Sequence, residues 1–404
     1  MGRFLPFLLL LFIIAVILRI DFFFTIVYLL VGVYVLSRVW IQRAVSRVHV
    51  ERRFSDRAFS GDHAEAELRI WNDGWLPVPW LVLHESLPVD LRAPPFFRDV
   101  LTLGANGRES LTYTLVCRRR GYYDIGPLSL RAGDLLGLAA ARQNEVEAQP
   151  FIVYPRVVSL QALGLPTGSP LVALPARAPL FEDPSRVRGV RDYQQGDSPR
   201  RIHWTATARV GQLLVKQYEP SVARETLILL DLSREHYEQR RRYTATELAI
   251  VVAASLANHI IVREGLSVGL ATEAWDPLSE ERRRFSLPPR SERAHLMNVL
   301  EVLARVQVVD GASFADLLRR ESVKLSWGAT LVVVGGQESE RLFDTLVYLR
   351  RAGFAVSLIL VQPSPSGKAN GGSAYLSRAL RRRADQLGIS VHRVWEERDL
   401  EAGF

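Results

Sequence analysis

Two uncharged apolar runs at the N-terminus constrain this chain more than any other feature. Leu5 to Leu18 and Phe22 to Leu36 carry no charge, and only Arg19, Ile20 and Asp21 separate them. At helical rise the runs span about 21 to 24 Å against a hydrocarbon core of about 30 Å. Flanking residues and local thinning of the bilayer make up the rest. Arg19 and Asp21 suit the far interface, with Arg19 snorkelling, while Tyr28, Tyr34 and Trp40 supply amphipathic aromatics and Trp40 falls at the headgroup belt. A signal peptide would need a polar cleavage region before the second run, and the sequence has none there. One long helix would leave Arg19 and Asp21 in mid-membrane at real cost. The sequence therefore predicts a transmembrane helical hairpin over residues 1–42, with helices at about 4–20 and 22–40.

Positive residues orient it. Arg38, Arg43, Arg47, Arg52 and Arg53 follow the second run, Arg3 precedes the first, and Arg19 alone lies between them. The positive-inside rule then places both ends in the cytoplasm, as a multi-pass protein of the cell (inner) membrane. The remainder reads as soluble protein long enough for two domains. The net charge of +8 comes from arginines spread among acids, not from a basic tract interleaved with aromatics. Nucleic-acid binding is not expected, and attraction of the juxtamembrane arginines to anionic lipid accounts for part of the excess. A single cysteine, Cys117, excludes an intrachain disulfide and a Cys-rich zinc site; it reads as a small buried hydrophobe.

Residues 46–155 alternate at the period of strands, in Val48–Phe54, Ala64–Trp71, Leu81–Glu85 and Glu109–Val116, with Asn72-Asp73-Gly74 as a turn signal. The spacing predicts an all-β sandwich domain. His49, His63 and His84 stand apart from one another in it and read as surface or core residues. From residue 225 to 404 apolar strands alternate with amphipathic helices. Strands are predicted at 226–231, 266–272, 330–334, 354–361 and 390–395. Helices are predicted at 244–262, capped by Thr244 with Glu247, and at 291–304, 313–320, 338–351 and 375–387. Such alternation predicts an α/β doubly wound domain with a mostly parallel sheet, whose sites lie at the carboxyl ends of the strands.

That rim contains Asp231, Ser233 and Glu235. Acid and hydroxyl groups at alternate positions of a loop suit a hard cation such as Mg2+, and equally suit a cap on the next helix. Between the domains, the 156–224 connecting segment holds Arg191, Tyr193, Gly196, Asp197, Arg200, Ile202, Trp204 and Arg209, dense in charge and aromatics. It reads either as a salt-bridged wrap around the α/β domain or as an Arg-rich docking surface for an acidic partner. No P-loop, His/Glu metal motif or nucleophile–base spacing is present, so a non-catalytic protein is expected.

The pattern Arg191-x-Tyr193-x-x-Gly196-Asp197-x-x-Arg200-x-Ile202-x-Trp204, continuing to Ala208-Arg209, resembles a signature of the bacterial and archaeal domain of unknown function family 58. A second block, Arg119-Arg120-Gly121-x-Tyr123-x-Ile125-Gly126-Pro127-Leu128, followed by Asp134 to Leu138, resembles it in the same order. The resemblance implies a von Willebrand factor A-like C-terminal domain with a metal-ion-dependent adhesion site. Asp231 and Ser233 match that site, Glu235 replaces its second serine, Ser313 stands at its threonine position, and Gly335 stands where its last acid would be. The implied Mg2+ site is therefore degenerate. The resemblance also implies a partner, a MoxR-type AAA+ ATPase, and a role as membrane-anchored adaptor or assembly factor. A metal-dependent hydrolase at the Asp231 rim and a purely structural envelope protein are the alternatives.

Overall fold

The second apolar run stays helical well past its last uncharged residue. The computed structural model describes residues 4–18, 21–134, 140–142, 146–161, 182–194, 197–220, 225–337, 339–361, 382–384 and 386–394. Helix α1 covers Phe4–Leu18 and helix α2 covers Asp21–Val45, with the Phe12 ring edge-on to Phe24 at 6.3 Å. Of the two, only α2 is long and apolar enough by itself to cross a membrane. A boundary near residue 42 is not seen. Ile41, Ala44 and Val45, in the last turns of α2, are buried in the same core as Val48, Leu68 and Leu81. The reason is plain in the sequence: apolar side chains at helical spacing continue beyond the run that the membrane requires.

The chain divides into two units, Met1–Arg156 and Val157–Phe404. In the first, strands β1 (Val48–Phe54), β2 (Arg57–Phe59), β3 (His63–Asn72), β4 (Val78–Ser86), β5 (Phe96–Leu103), β6 (Arg108–Val116), β7 (Gly121–Ile125), β8 (Leu128–Gly133), β9 (Ala140–Arg142) and β10 (Gln149–Tyr154) follow α2. They form three small sheets, ordered β1-β3-β6, β2-β10-β7 and β5-β4-β8-β9, around one core, where two sheets of a sandwich were expected. The Asn72 turn explains part of this. Its Oδ1 accepts from Gly74 N at 2.9 Å and its Nδ2 donates to Leu76 O at 2.9 Å and Gly104 O at 3.0 Å. The chain is thereby passed from one sheet to another rather than folded back as a hairpin. Cys117 is buried, and burial pushes its thiol pKa up to about 11. The core also holds an ion pair, Arg52 Nε to Glu85 Oε1 at 2.6 Å, with both side chains 0% exposed.

In the second unit, β11 (Glu182–Asp192) pairs antiparallel with β12 (Leu214–Pro220) as a two-stranded ribbon. Its turn carries a 3-10 turn at Pro199–Arg201 and the short helix α3 (Trp204–Val210). The segment expected to connect two domains thus has regular structure of its own. The α/β part follows with β13 (Glu225–Leu230), α4 (Arg242–Asn258), β14 (Ser267–Asp276), β15 (Glu281–Arg290), α5 (Arg293–Arg305), α6 (Phe314–Ser322), β16 (Thr330–Gly335), α7 (Glu340–Arg351), β17 (Ala355–Val361) and β18 (Ser390–Val394). Helix α4 begins at Arg242, so Thr244 lies inside its first turn and caps nothing; its neighbour Thr246 bonds back to Arg242 O at 2.9 Å. Most of the helix expected at 375–387 lies outside the described residues; 382–384 and 386–387 are helical.

Six strands form one sheet in the order β15-β14-β13-β16-β17-β18, all parallel except the edge strand β15. Near-continuous apolar runs such as Leu227–Leu230 and Leu331–Val334 are buried, as strands covered on both faces require. Strand β15 was not expected, because Arg282-Arg283-Arg284 does not read as strand. Pairing with β14 sets these arginines beside Glu273 and Asp276, which neutralise them.

Candidate functional site

Strand order reverses between β13 and β16: successive strands run outward to one side from β13 and to the other from β16. In open parallel sheets the crevice at such a switch point, at the carboxyl ends of the strands, is where ligands bind. Asp231 follows β13 directly and Gly335 ends β16, so both lie at this point, with Asp231 N donating to Val334 O at 2.9 Å. The segment after α5 runs alongside. Arg234 N donates to Val309 O, Val309 N donates to Leu232 O, and Asp310 pairs with Arg234 at 2.7 Å.

The fold brings Asp231, Ser233 and Glu235 together with residues 309–313, but it spends their polar atoms internally. Asp231 Oδ1 accepts from Ser233 N at 3.0 Å, and Oδ2 lies 2.5 Å from His236 Nδ1. Ser233 Oγ turns to Ala312 O at 3.5 Å. Glu235 Oε1 accepts from Gly311 N at 2.9 Å, and that N–H holds the carboxyl below its ordinary pKa. Ser313 is the residue before α6, and its side chain does not cap that helix. Gly335 offers no acid. Among the described residues no group of three or more His, Cys, Asp or Glu side chains stands as a metal site. Mg2+ requires several free oxygen ligands in octahedral array. Here His236 Nδ1 lies on the Oδ2 edge of Asp231 that such an ion would use, and the Oδ1 edge faces Ser233 N.

Two residues that carry this arrangement had no signal in the sequence. His236 lies five residues after Asp231, on a 3-10 turn at Arg234–His236. The Asp231 hydrogen bond raises its pKa above the ordinary value of 6.5, against the opposing effect of burial. Tyr237 is buried, donates its hydroxyl to Asp231 O at 2.5 Å, and has its pKa raised by that burial. Its ring lies against Gly336, where an added Cβ would come within 2.3 Å of it. The paired glycines at the end of β16 are what could have pointed to a close approach. Thr272, on the same rim, is buried and donates to Leu230 O at 2.8 Å.

The ribbon holds the other candidate residues. Arg191 grips Asp197 with two bonds of 2.7 and 2.6 Å, and Asp197 also accepts from Gln194 N at 2.9 Å. The guanidinium first, and then the Gln194 N–H, hold the Asp197 pKa down at about 2. Ile202 is buried and bridges Val215. His203 Nδ1 accepts from Ala206 N at 3.2 Å and so caps α3. Tyr193 and Arg209 are exposed, and Trp204 is 66% exposed. Gly196 lies outside the described residues, and Arg200 belongs to the 3-10 turn before α3. Arg191 and Asp197 are thus structural to the turn, which displays Tyr193 and Trp204.

Residues 189–363 match the family model described as protein of unknown function DUF58. The chain is 24% identical over 333 residues to the uncharacterized protein YeaD of Bacillus subtilis (strain 168), covering 78% of this chain and 75% of that one. Among solved structures it is similar to a CARDB domain from Pyrococcus furiosus in complex with di-metal ions, at 17% identity and TM-score 0.21, over 26% of this chain and 86% of that one. It is also similar to a beta-glucosidase from Listeria innocua, at 11% identity and TM-score 0.19, over 28% of this chain and 16% of that one. Likeness at such scores carries no argument about fold or activity.

Proposed function

The chain belongs to the DUF58 family, and from that premise we propose that it is a membrane-anchored, non-catalytic adaptor or assembly factor that docks protein partners, a MoxR-type AAA+ ATPase first among them. It is a multi-pass protein of the inner membrane, with α1 and α2 as its hairpin and the β domain and the second unit in the cytoplasm. The strand order with one antiparallel edge strand supports a von Willebrand factor A-like reading of the second unit.

The observation that carries the proposal is the ribbon turn. The Arg191–Asp197 clamp makes it rigid, yet Tyr193, Trp204, Val210 and Leu213 remain exposed around it. Exposed aromatic and aliphatic side chains on a pre-organised turn are what a protein partner recognises, and a large aromatic is the usual anchor. Helix α3 buries none of its own residues, so it serves the turn rather than a core.

Crosslinking in cells followed by capture of tagged protein from membranes tests this. Trp204→Ala is expected to lose an AAA+ ATPase that the parent recovers, while Asp231→Asn retains it. Retention by Trp204→Ala would remove the ribbon from the interface. One observation favours a second reading, a hydrolase: the Asp231–His236 pair sits at the ligand-binding end of the sheet. Turnover lost in His236→Ala would replace the adaptor reading.

A further inference from the structure

We infer that the α2 side of the β domain is a lipid-binding rim, seated in the headgroup layer through Trp40 and Trp80. The inference rests on the reading of α2 as a membrane span. Helix α2 is unbroken from Asp21 to Val45, its apolar run ends at Leu36, and its residues Ile41, Ala44 and Val45 are part of the β-domain core. A helix that is both span and core leaves no linker. The height of the domain above the bilayer is then fixed by helical rise.

From Leu36 to Trp40 that rise is about 6 Å, and the headgroup layer of one leaflet is about 5–7 Å thick. Three contacts identify the parts of the domain at this height. Ser37 Oγ bonds the Asp134 carboxylate, and Trp40 Nε1 donates to Pro77 O at 3.2 Å. Strands β4, β8 and β9 pack on α2. The Trp80 ring lies flat against Gly133, where an added Cβ would come within 2.4 Å of it, and Gly133 directly precedes Asp134. Trp80 is therefore held at the level of Ser37 to Trp40. Its ring is 42% exposed and Trp40 is 37% exposed. Trp75, 77% exposed, lies between Gly74, which abuts Arg47, and Pro77, which abuts Trp40, on the side of Trp40 away from the bilayer.

Exposed arginines complete the rim. Arg38 stands on the turn of α2 that carries Trp40, with its Nη1 donating to Tyr34 OH at 3.3 Å, and Arg43 follows one turn farther from the bilayer. Indole rings with one apolar body and one N–H, next to cations, match the chemistry of a layer of glycerol and phosphate groups. The far end of the domain, to which β1 carries the chain, has exposed Asp56, Arg57 and Phe59 but no tryptophan.

The test uses the full chain in vesicles of phosphatidylcholine and phosphatidylglycerol. A fluorophore is attached to a cysteine introduced at one of four positions: Val35, Trp80, Thr102 or Asp56. The buried Cys117 leaves the parent as the blank. Thr102 reports the same rim without touching the Trp80 ring, since its hydroxyl bonds Pro79 O at 2.8 Å. Lipids spin-labelled near the headgroup are expected to quench labels at 80 and 102 several-fold more strongly than at 56, with 35 quenched as well. Quenching at 35 while 80 and 102 behave like 56 would overturn the inference and leave the anchor intact. An unquenched label at 35 would overturn the anchor and the inference together.

Discussion

The Asp231 carboxylate reaches 2.5 Å from His236 Nδ1 with one oxygen and accepts the Ser233 N–H at 3.0 Å with the other. A carboxylate so engaged favours the protonated imidazole, and the His236 pKa is accordingly raised above 6.5. A raised folded-state pKa contributes stability that is fully present below the unfolded value and is lost as pH rises through the folded one. The thermal midpoint of the parent is expected to exceed that of His236→Ala most at about pH 6 and to converge with it in alkaline buffer. A gap independent of pH would mean that the ring acts by packing alone.

The same arrangement predicts the response to metal. Native-state binding raises the unfolding midpoint in proportion to ligand excess. Adding Mg2+ or Mn2+ to chelator-treated protein is expected to leave the midpoint unchanged. A rise that Asp231→Ala abolishes would show that the carboxylate releases His236 to take a cation.

Gly335 and Gly336 are expected to differ. A Cβ at Gly335 would meet Asp231 Cβ at 3.4 Å, an ordinary contact, whereas at Gly336 it would stand 2.3 Å from the Tyr237 ring and 2.7 Å from His236 O. Gly336→Ala should destabilise the second unit by about 1–3 kcal/mol, as overpacking does, and Gly335→Ala by much less. Chemical denaturation in detergent compares the two.

In the β domain, Arg52 and Glu85 are joined by one bond between two fully buried side chains, and Arg52 Nη1 also donates to Glu147 O at 3.2 Å. Removing one partner strands a buried charge. Glu85→Ala or Arg52→Ala should cost about 3–5 kcal/mol, and the apolar double replacement less than either single one. A double-mutant cycle on the β-domain transition measures this; additive losses would show that the pair is not coupled.

At the ribbon, the depressed Asp197 pKa of about 2 sets the opposite pH sign. The clamp contributes stability present above the ordinary carboxylate value and lost as pH falls through about 2. The Trp204 indole resonance is expected to broaden between about pH 4 and 2 in the parent, and at neutral pH already in Asp197→Asn and Arg191→Ala. A sharp, unmoved resonance in both variants would show that Trp204 is held without the clamp.

Local pattern was enough wherever one neighbour along the chain decides the outcome. Alternation in Val48–Phe54 is strand β1 residue for residue, and the apolar runs at 330–334 and 354–361 are the buried strands β16 and β17. The two N-terminal runs are helices because a helix satisfies its own backbone in an apolar setting; Pro6 falls in the first turn of α1, where no N–H is needed, and Gly32 is tolerated inside α2. Asp231 at the end of the first parallel strand was legible for the same reason.

What the tertiary structure decided lies in contacts between residues far apart in sequence or off any period. No spacing announces that His236 turns back onto Asp231, that Tyr237 fills the space left by Gly336, or that Glu235 serves Gly311. Those pairings depend on β13 and β16 lying side by side and on the 309–313 segment lying beside Leu232 to Glu235. Likewise Ile41, Ala44 and Val45 lie past the predicted span, and hydropathy alone gives them no partner. Only the folded β domain shows that Ile41, Ala44 and Val45 belong to protein.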